Sequence, residues 1–158
     1  MGITTIGLDE FISDLAALAE IPDSVIDGML NAKADVIEPA QKAQAKAMGV
    51  QKTGMTINSI KRTKSVRNKD GRSLEIYPQG NNSKGRRNAE VAFMNEYGTK
   101  GIRGLKKPRF VKALGKKVTK LGRMPARPFI DKANKGAGQN ATDSAAKVLD
   151  AFISSKNL

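Results

Sequence analysis

The stretch AFMNEYGTKGIRGLKKPRFVKALGKKVTKLGRMPARPFIDKA, from Ala92 to Ala133, decides how this chain folds. Its ends are its most constrained parts: NEYGT (Asn95 to Thr99) and MPARPFI (Met124 to Ile130). Gly98 follows an apolar run and can take the positive φ that closes an element, a conformation that a Cβ disfavours. Pro125 and Pro128 bracket Ala126 and Arg127, which holds that segment extended before Phe129 and Ile130 open a helical pattern. The two ends predict a strand exit and a fixed helix entry. Between them, Lys100 to Arg123 holds ten bases and no acid: Lys100, Arg103, Lys106, Lys107, Arg109, Lys112, Lys116, Lys117, Lys120 and Arg123. Such self-repulsion keeps the segment out of a core. Phe110, Val111, Leu114, Val118 and Leu121 fall at helical spacing, so the segment reads either as an amphipathic basic helix or as an extended arm that orders on assembly. Turn chemistry alone also permits a plain loop between two core elements.

Toward the N-terminus, Leu8, Phe11, Ile12, Leu15 and Leu18 recur at helical spacing, with Asp9 and Glu10 placed to favour the helix dipole. This predicts an amphipathic helix over residues 8–19. Pro22 breaks it, and Asp23 or Ser24 caps a second helix that carries Val25, Ile26, Met29, Leu30, Val36 and Ile37 and continues to about Met48. Pro39 should kink that helix or begin a new segment. Met55 to Lys61 reads as a short helical turn, and Ile60 to Val66 as a weakly alternating basic strand. Asn68 to Gly71 signals a hairpin turn, with Ser73 to Pro78 as the return strand. Gly80 to Asn88 is a polar loop. Glu90 to Tyr97 fits a third strand or a short helix equally well. The last helix starts near Phe129 and reaches about Ser154, with an interruption at Lys135 to Gln139 (KGAGQ).

The order is helix, helix, strand, strand, strand, helix. It predicts an α+β fold: a small antiparallel sheet of three to four strands, flanked by two long N-terminal helices and a C-terminal helix. At 158 residues the chain fits one domain. Residues 1–21 form an N-terminal helical extension, and residues 100–123 a basic loop or arm inserted in the domain.

The chain has no Cys and no His, which excludes disulfides, thiolate or imidazole metal ligation and nucleophile-His catalysis. Neither Gly80 to Gly85 nor Gly98 to Gly104 ends in the Gly-Lys-Ser/Thr of a phosphate-binding loop. Glu90 and Glu96 have no acid near them in sequence to complete an acid/base pair. Asp23 and Asp27 read as surface carboxylates rather than metal ligands. No catalytic, cofactor-binding or metal-binding residue is therefore assigned, and the chain reads as a protein without enzymatic activity or cofactor. No apolar run reaches the roughly 20 residues of a membrane span, and no signal sequence opens the chain, so a soluble, cytoplasmically made protein is expected. With 4% aromatic residues and no Trp, the core is thin, which favours burial against another subunit.

The net charge of +13 is unevenly placed. Met1 to Val50 holds eight acids and three bases, a net of −5, whereas Gln51 to Lys135 holds 23 bases and five acids, a net of +18. An acidic front and a basic body in one chain permit head-to-tail contacts between copies. The bases, among them Lys61, Arg62, Lys64, Arg67, Lys84, Arg86 and Arg87, could also neutralise phosphates without sequence preference. Against that second reading, no aromatic platforms interleave with them.

Thr53-Gly54, Ser59-Ile60, a strand pair, NEYGT, and PARPFI before a C-terminal helix occur in an order that resembles the tail-component family of long-tailed bacteriophages, which includes head-tail joining and tail-completion proteins of the virion neck. The similarity spans roughly Pro22 to Ile153. The chain departs from the family's pattern in the long Lys100 to Arg123 interval and in the helix before Ile21. The resemblance implies a virion structural protein, made in the host cytoplasm, that assembles as a ring of about six copies. Its implied partners are the tail tube, the tail terminator or head-connector proteins, with passive contact to packaged DNA and none to membrane. It further implies a structural joint of Glu96, Tyr97, Gly98, Thr99, Pro125, Arg127, Pro128 and Phe129. In that joint Tyr97 is expected to pack on Pro125 or Phe129, and Arg127 to form a buried ion pair with Glu96 or Glu90. The acidic front is expected to meet the basic body of the next subunit, and the ten bases of residues 100–123 to face a neighbouring ring or DNA. The alternative is a sequence-independent basic nucleic-acid-binding protein.

Overall fold

A computed structural model of the chain describes residues 21–50, 54–69, 71–101, 109–111, 115–118 and 122–156. The helix expected over residues 8–19 lies outside them. The described elements, in order, are helix α1 (Asp23–Ala47), the single turn α2 (Met55–Asn58), strands β1 (Ile60–Arg62), β2 (Val66–Asn68), β3 (Gly71–Ser73) and β4 (Ile76–Pro78), helix α3 (Asn88–Tyr97), strands β5 (Arg109–Val111) and β6 (Lys116–Val118), and helix α4 (Phe129–Ser155). The fold is α+β.

Helix α1 starts where the Pro22 carbonyl accepts hydrogen bonds from the N–H groups of Val25 and Ile26, with Asp23 in the first turn against the positive end of the dipole. It ends in a Schellman motif. Gly49, at φ 64°, donates to the Lys46 carbonyl at 3.1 Å, and Val50 donates to the Ala45 carbonyl at 3.0 Å, so two orphan carbonyls are satisfied. Ala45 and Val50 are both buried there, the apolar contact that accompanies this cap. Pro39 does not begin a new segment. The helix runs through it with one backbone donor missing.

Helix α4 is likewise continuous, 27 residues long, and KGAGQ does not interrupt it. Ala133, Ala137, Ala141 and Ala145 recur every four residues and are all buried, forming one narrow seam along the helix. Gly136 and Gly138 lie off that seam with nothing within 4 Å of where a Cβ would sit. Their cost, about 1 kcal/mol each relative to Ala, is local, and a seam of four buried alanines outlasts it.

The strands are short, and the described residues form no sheet of three or four. They pair two by two: β1 with β4, β2 with β3, and β5 with β6. β2 and β3 pair in antiparallel register, with Asn68 opposite Gly71, Arg67 opposite Arg72 and Val66 opposite Ser73, so Gly71, at φ 126°, is the first residue of β3. The expected return strand over Ser73 to Pro78 is split into β3 and β4. Within the basic segment, β5 and β6 pair antiparallel, with Phe110 opposite Lys117. At residues 109–111 and 115–118 the segment is therefore neither a helix nor a lone extended arm. Glu90 to Tyr97 belongs to a helix, α3, whose buried residues Asn88, Ala92 and Glu96 stand four apart.

The chain divides into two compact units. Among the described residues, the first comprises residues 21–38, Arg62–Ile76 and residues 137–156. The second comprises Pro39–Lys61 and Tyr77–Gly136. Gly28 stands close to Val148 in the first, where an added Cβ would lie 3.2 Å from its Cγ1. Gln41 donates to Asn134 at 3.0 Å in the second. The largest fully buried side chains are Phe129 and Ile60, both in the second unit.

Candidate functional site

The two ends of the opening stretch meet in the second unit. The Thr99 N–H donates to the Met124 carbonyl at 3.0 Å, the Met124 N–H donates to Thr99 Oγ1 at 3.3 Å, and the Arg127 N–H donates to the Asn95 carbonyl at 2.6 Å. Gly98 closes α3 at φ 73° and ψ −175°, a region reserved for glycine. A Cβ there would lie 2.6 Å from the Met124 oxygen and 2.8 Å from the Ala126 nitrogen. Gly98 therefore serves twice, as a turn and as a place where two backbones touch. The element that exits here is a helix rather than a strand. Lys100 to Arg123 leaves and returns through this closed base.

Glu96 and Arg127 do not pair with each other in the way the sequence suggests. Glu96, 6% exposed, turns to the start of α4, where Oε2 accepts from the Ile130 N–H at 2.9 Å and Oε1 from the Asp131 N–H at 3.0 Å. Helix starts present unpaired donors and a positive dipole end, and a carboxylate from another element satisfies both. Arg127 turns to the other kind of helix end. Its Nη1 donates to the carbonyl of Gly49, the capping residue of α1, at 2.7 Å. The buried ion pair expected of Arg127 is thus replaced by two side chains, each answering a helix terminus. Pro128 contributes its carbonyl to the Lys132 N–H at 3.2 Å, and Phe129 is fully buried. Pro125 is exposed.

Tyr97 does not pack inward on Pro125 or Phe129 as a buried ring. It is 68% exposed, with its ring centroid 4.7 Å from that of Phe93, itself 63% exposed. Together with Tyr77, 39% exposed, these rings stand around a groove of about 410 Å³ whose remaining lining includes Pro78, Ala92, Glu96 and Ile130. The sequence reading missed this groove. Its signal was the four-residue spacing of Phe93 and Tyr97, which puts them on one face only if the segment is helical.

On the other side of the joint, a wider depression of about 580 Å³ is lined by Lys84, Arg86 and Arg127 together with Val50, Ile57 and Asn95. Of the ten bases in the long interval, Lys100, Lys116, Lys117 and Arg123 are exposed. Arg103, Lys106, Lys107, Lys112 and Lys120 lie outside the described residues, as does the side chain of Arg109.

The first unit holds a second constellation that sequence spacing did not reveal. Arg72, opposite Arg67 in the hairpin, grips Asp27 with both Nε and Nη2 at 2.7 Å and reaches Asp23 with Nη1 at 2.7 Å. Ser65 donates to the same Asp27 carboxylate. The Ser65 hydrogen bond, joined by the hydrogen bond and charge of Arg72 and opposed by partial burial, holds Asp27 below its ordinary value of 3.8. Arg62 bonds Asp35 at 2.6 Å, and its backbone N–H donates to Glu38. The four acids from Asp23 to Glu38 are thus met within their own chain. Among the described residues, no three His, Cys, Asp or Glu side chains gather to hold a metal ion, and no helix is long and apolar enough to cross a membrane.

The chain matches none of the protein-family models, curated proteins or solved structures compared with it. Its class therefore rests on its own geometry: an α+β chain with a sewn joint, an exposed aromatic groove beside it and a basic segment rooted in it.

Proposed function

We propose that this chain is a structural protein of a bacteriophage neck or tail, a head-tail joining or tail-completion subunit. It assembles as a ring, on the family's pattern of six copies, and works through protein–protein interfaces rather than chemistry. The observation that carries this reading is the cluster of Tyr77, Phe93 and Tyr97 around an open groove. Exposed aromatic side chains at a concave apolar surface mark a contact site, because their burial on association is strongly favourable. The order of NEYGT and PARPFI supports the same reading, since the residues that carry the family resemblance are the ones hydrogen-bonded across the joint. The bases between Lys100 and Arg123 meet, on this reading, an adjoining ring or the DNA path. On this reading the protein is made in the host cytoplasm and ends in the virion, bound to tail-tube, terminator or head-connector subunits.

Light scattering and negative-stain imaging of the purified chain test the proposal. A ring of defined diameter is expected, alone or with tail proteins. A monomer at every salt and protein concentration, with and without tail proteins, refutes it.

A second reading draws on the convergence of Lys84, Arg86 and Arg127 at the wider depression: sequence-independent binding of nucleic acid. It requires that the isolated chain bind duplex or single-stranded DNA with an affinity that falls steeply with salt. Absence of such binding at low salt removes it.

A further inference from the structure

The aromatic groove beside α3 has a floor of buried or half-buried residues, Pro78, Ala92 and Ile130, and a rim of exposed rings. A surface of this shape fits the apolar face of a helix, which docks through residues at positions i, i+3, i+4 and i+7. One segment of the chain itself has that pattern and lies outside the described residues. Leu8, Phe11, Ile12 and Leu15 stand at those four positions.

We propose that the groove formed by Tyr77, Phe93 and Tyr97 receives the N-terminal segment, residues 8–19, of a second copy of this chain, laid as an amphipathic helix along α3. The proposal rests on the ring reading above and supplies the contact between neighbouring subunits. Length agrees: twelve helical residues span about 18 Å and the ten of α3 about 15 Å. Charge agrees as well. Residues 1–20 contain four acids, Asp9, Glu10, Asp14 and Glu20, and no base, in a chain whose remainder carries a net +17. Exposed bases stand at both ends of α3, Arg86 and Arg87 before it and Lys100 just beyond it. The groove's own carboxylates are already occupied: Glu96 by the N–H groups of Ile130 and Asp131, and Asp131 by Lys135 at 2.9 Å. The groove therefore presents apolar surface, with bases beyond both ends of α3, to a segment that has apolar residues at helical spacing and whose only charged residues are acids.

The chain contains no cysteine, so introduced pairs report directly. Full-length chains carrying Leu15→Cys are co-produced with chains carrying Tyr97→Cys and oxidised. The expected result is a disulfide-linked dimer of the two variants. Leu15→Cys paired with Lys147→Cys, at an exposed position of α4, should stay at background. Phe93→Ser in the full chain should weaken self-association by about tenfold or more, the loss typical of an aromatic anchor, with no change in folding. If the chain assembles by light scattering but the Leu15→Cys and Tyr97→Cys chains link no better than the control, the docking is overturned while assembly stands. A link that forms only within a molecule carrying both cysteines overturns the assignment to a second copy. A chain that never assembles overturns both the docking and the reading beneath it.

Discussion

Replacing Gly98 with alanine should damage this protein more than any other single methyl group added to a glycine among the described residues. Two costs act together. The backbone at φ 73° and ψ −175° lies in a region that side chains avoid, worth about 1–3 kcal/mol. The new Cβ would also stand 2.6 Å from the Met124 oxygen, 2.8 Å from the Ala126 nitrogen and 3.1 Å from the Pro125 carbonyl carbon. These are backbone atoms held by the hydrogen bonds Thr99 to Met124 and Arg127 to Asn95, so they cannot yield as the end of a flexible side chain would. Overpacking of that kind costs about 1–3 kcal/mol more. The sum, about 2–6 kcal/mol, corresponds to a fall in Tm of about 4–24 °C for a chain of this size. The same change at Gly136 is the matched contrast. That glycine sits in the interior of α4 at negative φ with open space around it, so alanine there should stabilise by about 0.5–1 kcal/mol. Chemical denaturation of both variants followed by circular dichroism measures the two signs side by side. A Gly98→Ala protein within 1 kcal/mol of the parent would refute the close approach of the two ends on which the joint depends.

Glu96→Ala leaves two backbone donors at the start of α4 without their acceptor and should cost about 2–4 kcal/mol in the same unfolding assay, with Glu96→Asp recovering little because the shorter carboxylate cannot reach both. Arg127→Ala, which removes one hydrogen bond to the Gly49 carbonyl rather than a buried ion pair, should cost only about 1 kcal/mol; a loss of 3 kcal/mol or more would restore the ion-pair expectation. Asp27 has a folded pKa below its ordinary 3.8, so its contribution to stability is complete above that value and is lost as pH falls through the folded value. Arg72→Ala should therefore destabilise at neutral pH and differ progressively less from the parent as pH drops below about 3.8, a convergence that stability curves taken from pH 7 to pH 2 would show. High salt should narrow the same difference, since Asp23 is partly open to solvent.

Features that depend only on neighbours in sequence were legible in the residues. Pro22 and Asp23 start α1, Gly49 stops it, a helical turn opens at Met55, Gly71 and Gly98 take a positive φ and Phe129 opens the last helix, because each is a matter of local φ, a missing N–H or an orphan donor. Features that depend on what lies across space were not. Alternation in Val91, Phe93, Asn95 and Tyr97 fits a strand as well as a helix, and only the burial of Asn88, Ala92 and Glu96 on one side of α3 decides it. KGAGQ reads as a break, yet the alanines on either side share one buried seam whose continuity outweighs two solvent-facing glycines. Phe110, Val111 and Val118 satisfy helical spacing, but cross-strand pairing of Phe110 with Lys117 makes them a hairpin. Glu96 and Arg127 look like partners because opposite charges near one joint ordinarily pair. The tertiary structure instead brings each within reach of a helix end, where unpaired N–H or C=O groups and the dipole offer the stronger claim. The sequence by itself thus determined where elements begin, turn and stop. Which face each element buries, and which side chain answers which charge, was decided only when residues as far apart as Asp27 and Arg72, or Gly49 and Arg127, came within hydrogen-bonding distance.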